Sequence, residues 1–116
     1  MNAVVLVAVG GTAGVLTRYG LTVWLQSIWT VAAINVVGSF ALALLLHVGV
    51  HLPHDLRNAV GVGFLGGFTT LSTLTAQTVL EADGGRPGVA ALYLVVNVLG
   101  GLLAAVAGYA IGRTIA

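Results

Sequence analysis

Apolar residues fill this chain in four long runs, covering roughly residues 3–24, 28–50, 56–80 and 88–111. Polar residues collect in the short links between them, His51-Leu52-Pro53-His54-Asp55 and the turn-rich stretch from Glu81 to Pro87. A helix needs about 20 mostly apolar residues to cross a bilayer, so each run is long enough to span. The pattern predicts an all-α membrane protein, a single four-helix transmembrane domain over residues 1–116. The start, Met1-Asn2-Ala3, lacks a positive n-region and no cleavage site follows, so the first run is expected to be a span, not a signal peptide.

The third run departs from the pattern. Its core, GVGFLGGFTTLSTLTAQTVLE from Gly61 to Glu81, sets two adjacent glycines beside the hydroxyls of Thr69, Thr70, Ser72, Thr73 and Thr75. Broken or hydroxyl-rich backbone at membrane depth is tolerated only where it is buried in protein or lines a water-filled cavity. This predicts a third helix broken near its middle, with a site at the break.

Composition excludes a soluble fold. Hydrophobic residues make up 59% of the chain and charged residues 6%, against roughly 25% charged in ordinary globular proteins. There is no cysteine for disulfides or thiolate metal sites, and a net charge of +1 supplies no basic face for nucleic acid. With four spans, the termini and the central link share one side, carrying Arg57 and Arg113; the other side carries Arg18 and Arg86. Two against two leaves the positive-inside rule without a preference. The chain is therefore expected to insert both ways up and pair as an antiparallel dual-topology dimer, unless four arginines are too few for the rule to act. Gly100, Ala104, Gly108 and Gly112 form a small-residue stripe on the last span, and Gly10 and Gly14 do so on the first. Such stripes let helices approach closely in lipid.

Several polar side chains sit at membrane depth. Asn35 and Ser39 lie one turn apart on the second span, and Tyr93 and Asn97 on the fourth. Such groups either bond helices together or line a pathway. No carboxylate lies inside a span: Glu81 and Asp83 are at or beyond the end of the third. Cation and proton carriers normally use one, whereas neutral N–H and O–H donors suit a small hard anion. Arg18, one turn beyond Gly14, either donates to helix-end carbonyls or gives a vestibule positive potential. Arg57, Arg86 and Arg113 read as interfacial anchors. His47, His51 and His54 have ligand-like spacing but read as an interfacial, solvated set. No nucleophile–base–acid set or phosphate loop is present, so no enzyme is expected.

These pieces together resemble the small fluoride channels called Fluc or CrcB. The resemblance rests on Gly10-Gly11 through Arg18-Tyr19, on Asn35-x-x-Gly38-Ser39-Phe40, and above all on Gly63 to Leu74, with its GxxGGxTTxST core. It covers essentially the whole chain. It implies passive fluoride export across the inner (plasma) membrane by a multi-pass subunit in the lipid bilayer, paired with a second copy or a paralogue in antiparallel orientation. It also implies a structural, untransported sodium ion held by backbone carbonyls at the helix break, matching Gly66 and Thr69 here. The family's pore asparagine matches Asn35, its third-helix hydroxyls Ser72 and Thr73, and its fourth-helix tyrosine Tyr93.

Departures bear on conduction. The family usually reads TTFSTF, and its phenylalanines meet fluoride with their positive ring edges; this chain has Leu71 and Leu74. Gln77 stands where relatives often have glutamate, and Gly101 and Ala105 offer no hydroxyl. The chain is thus either a homodimeric fluoride channel that tolerates leucine or the pore-deficient half of an obligate heterodimer. A non-conducting assembly subunit is a further alternative. Small four-helix drug exporters need a glutamate in the first span, which this chain lacks.

Overall fold

The computed structural model describes residues 2–115. Met1 and Ala116, the outer ends of the expected domain and the first residue of the N-terminal reading, lie outside them. Helix α1, Ala3–Leu25, begins where the Asn2 side chain accepts from Val4 N at 2.6 Å. It ends at Gln26, whose left-handed backbone (φ 48°) lets its N–H close back onto Thr22 O. Helix α2, Ile28–Val48, is capped by Ser27 and runs into a 3-10 turn, Gly49–His51. Pro53 follows and disfavours helix at the residue before it.

The third span is segmented. It comprises α3 (His54–Asn58), a π-helical stretch (Ala59–Leu65), α4 (Gly66–Phe68), an extended pair at Thr69 and Thr70, and α5 (Leu71–Asp83). The break is the one the sequence predicts near the middle of the run; the π-helical stretch before it has no counterpart in the sequence pattern. Gly84 and Gly85 turn the chain, and α6 (Pro87–Ile115) starts with proline at its first position, where a missing N–H costs nothing. Glu81 accepts from Arg86 Nε across this turn, and that bond holds the Arg86 guanidinium above its usual pKa.

Four helical spans, Ala3–Leu25, Ile28–His51, His54–Asp83 and Pro87–Ile115, are long and apolar enough to cross a membrane. The chain is a multi-pass membrane protein. Helix α6 lies along α2, and α1 lies along the first half of the third span. Both contacts are backbone against backbone. A Cβ on Gly14 would come within 2.1 Å of Phe64 O, and one on Gly10 within 2.3 Å of Ala59 O. On α6 the stripe narrows to its lower half: a Cβ on Gly108 would meet Phe40 O at 2.3 Å, whereas Gly100 has ordinary room. The small buried core gathers Val31, Ala32, Leu74 and Tyr93, with the Trp29 ring edge-on to Tyr93 at 5.7 Å.

Candidate functional site

The break at Thr69 and Thr70 follows from local chemistry. Two glycines precede it and lower helix propensity, and a β-branched pair then favours extended backbone. Thr69 closes α4 by sending both its N–H (3.1 Å) and its hydroxyl (3.0 Å) to Leu65 O. Thr70 opens α5 as its N-cap: its Oγ1 accepts from Thr73 N at 3.2 Å. The same hydroxyl donates to Thr73 Oγ1 at 3.2 Å and lies 3.4 Å from Ser72 Oγ.

Extended backbone at Thr70 leaves its N–H and C=O without helical partners, and in lipid such groups must be satisfied. Asn35 on α2 supplies both. Its Oδ1 accepts from Thr70 N at 2.9 Å, and its Nδ2 donates to Thr70 O at 3.1 Å. The remaining Nδ2 hydrogen goes to Asn97 Oδ1 at 2.8 Å, and Asn97 Nδ2 donates to Tyr93 O at 2.9 Å. A buried polar chain therefore links α2, the break and α6.

A groove of about 260 Å³ opens beside this chain, lined by Asn35, Ser39, Thr70, Leu71, Leu74 and Asn97 among others. Ser72 is exposed and Thr73 half-buried; both meet the Thr70 hydroxyl, but neither lines the groove itself. The structure thus brings Asn35, Leu71, Ser72, Thr73 and Leu74 around Thr70. Tyr93 is placed differently. It is wholly buried, and its hydroxyl turns away to donate to Gln77 Oε1 at 2.6 Å. The two leucines also part company: Leu71 is 72% exposed and Leu74 only 4%. Arg18 Nε donates to Gly67 O at 3.2 Å, so it satisfies a carbonyl left open near the end of α4.

Two roles escaped sequence reading. Thr70 is the hub of the site, a role signalled only by its hydroxyl three residues ahead of Thr73. Gln77 partners Tyr93 from another helix, and nothing in the sequence joins positions 77 and 93.

The sodium expectation needs correction. Among the described residues no group of three or more His, Cys, Asp or Glu could hold a metal ion. Gly66 and Thr69 sit at the break without such a set, since the chain's carboxylates, Asp55, Glu81 and Asp83, all lie at the ends of the third span. The histidines do not assemble one either. His47 packs edge-on against Tyr109 at 4.5 Å, and His54 Nδ1 faces Arg57 Nη2 at 3.0 Å.

A family model described as CrcB-like protein, Camphor Resistance (CrcB), matches residues 5–109. The chain belongs to the CrcB family. Among its relatives is the fluoride-specific ion channel FluC of Thermus thermophilus, 40% identical over 115 residues, covering 92% of this chain and 91% of that protein. FluC of Pseudomonas putida is 37% identical, covering 92% and 94%, and FluC 2 of Bacillus subtilis is 37% identical, covering 95% and 87%. The CrcB match includes the whole break together with Asn35 and Asn97.

Proposed function

We propose that this chain is a subunit of a fluoride-selective channel of the plasma membrane, letting fluoride leave the cell passively. The observation that carries the reading is the groove at the helix break. It combines neutral hydroxyls and amides at membrane depth with no carboxylate, in a chain whose relatives are named fluoride-specific channels. Hydroxyl and amide donors replace the water around a small hard anion without trapping it. Asn35, Ser72 and Thr73 are the polar side of the path and Leu71 and Leu74 its apolar side; Tyr93 and Gln77, bonded to each other, do not line the groove. The role is transport, not catalysis.

The working unit in this reading is one four-helix domain paired antiparallel with a second subunit. The even distribution of arginines supports insertion in both directions. Leu71, exposed where it lines the groove, is the apolar side chain that the second subunit would cover in this reading.

A second reading makes the partner a paralogue. It is favoured by leucine at both positions where the family usually carries phenylalanine, because an alkyl group has no positive edge to offer an anion. Fluoride efflux from liposomes, followed with an ion-selective electrode, tests both readings. Flux is expected to be low from this chain alone and to rise when a paralogue carrying both phenylalanines is co-reconstituted. Ordinary flux from the chain alone removes the heterodimer reading. No fluoride flux in either arrangement removes the channel reading.

A further inference from the structure

Asn97 makes no hydrogen bond to the broken segment, yet it stands behind the one residue that holds it. Asn35 can act on Thr70 only with its amide turned one way, Oδ1 toward Thr70 N and Nδ2 toward Thr70 O. An asparagine amide is nearly symmetric in shape, so only its hydrogen-bond partners choose between the two orientations. Asn97 is such a partner. The Tyr93 carbonyl can only accept, so Asn97 must give it Nδ2 and present Oδ1 to Asn35. Rotating Asn35 by half a turn would then set Oδ1 against Oδ1 on one side and donor against donor on the other. Both amides are largely buried, Asn35 at 8% exposure and Asn97 at 4%, so such a mismatch is costly.

We infer that Asn97 is a positioning residue that acts through Asn35. It fixes the orientation of that amide, hence the extended backbone at Thr70, hence the place of the Thr70 hydroxyl among Ser72 and Thr73. The direction of control runs from Tyr93 O to Asn97, to Asn35, to Thr70, four groups on three spans. Its consequence for ion flux rests on the proposed channel function; the structural relay does not.

Amide hydrogen exchange at Thr70, read by NMR on the full chain in detergent micelles, tests the relay directly. Asn97→Ala is expected to speed Thr70 exchange by roughly five- to tenfold, the factor set by about one lost hydrogen bond, with amides of α1 unchanged. Asn35→Ala should speed it at least as much. The double variant should exchange no faster than Asn35→Ala alone, because one residue acts through the other. Asn97→Asp covers the case in which the alanine variant does not fold. A neutral carboxyl still accepts from Asn35 and donates its O–H to Tyr93 O, so protection should match wild type in acid and fall in base, each compared at the same pH. Unchanged Thr70 exchange in Asn97→Ala, or additive effects in the double variant, overturns the inference. The latter would instead make Asn97 an independent contributor to the groove. Absence of fluoride flux in liposomes would count against the channel reading and leave the exchange result standing.

Discussion

The side-chain amide of Asn35 bonds both the N–H and the C=O of Thr70, at 2.9 and 3.1 Å, as a neighbouring strand would. A helix broken inside a membrane strands polar backbone groups, and here one side chain from another span takes up both. With its second amide hydrogen on Asn97, Asn35 has no donor left over. In the proposed channel, an anion entering the groove would therefore meet the hydroxyls first, or displace one of these bonds.

Asn35 should consequently matter to stability as well as to flux. Asn35→Ala strands the Thr70 N–H and C=O, at about 1–3 kcal/mol for each buried group left unpaired. Thermal unfolding in detergent should show a clear loss. Asn35→Asp loses donors and adds negative charge beside the groove, so fluoride efflux should fall several-fold; unchanged efflux would remove Asn35 from the path.

The two leucines should respond differently to phenylalanine. Leu71 is 72% exposed, so Leu71→Phe fits without rearrangement and should raise fluoride efflux. Leu74 is packed against Val31, Ala32 and Tyr93. Leu74→Phe overfills that core and should cost about 1–3 kcal/mol in an unfolding experiment, even where the added ring edge also raises flux. No gain in efflux from either variant would end the ring-edge argument.

Tyr93→Phe separates the ring from its hydroxyl. The hydroxyl bonds Gln77 and points away from the groove, so its loss should lower stability by about 1 kcal/mol while efflux changes little. A collapse of efflux in a well-folded Tyr93→Phe protein would place that hydroxyl on the ion path instead.

Glycine packing gives a contrast within one helix. Gly14→Ala drives a methyl to within 2.1 Å of Phe64 O and should unfold the protein at a markedly lower temperature. Gly20→Ala has nothing within 4 Å of the new carbon. Its expected effect is neutral or stabilising by up to about 1 kcal/mol, through helix propensity alone. Equal melting temperatures for the two variants would contradict the close approach of α1 and the third span.

Sequence alone determined the four spans, because apolar length is what a bilayer selects. It also located the break, because Gly66-Gly67 lower helix propensity and the β-branched Thr69-Thr70 pair favours extended backbone. Gly14 and Gly108 were legible as close contacts for the same reason: only the smallest side chain fits where backbones touch. Tertiary structure decided which amide faces which backbone group, since Asn35, Thr70 and Asn97 are 35 and 62 residues apart in their pairings and meet only once α2, α5 and α6 pack. It also turned the Tyr93 hydroxyl to Gln77 and buried Leu74 while exposing Leu71. Helical spacing says which residues share a face; it does not say which neighbour that face meets, and hydrogen-bond direction depends on the neighbour.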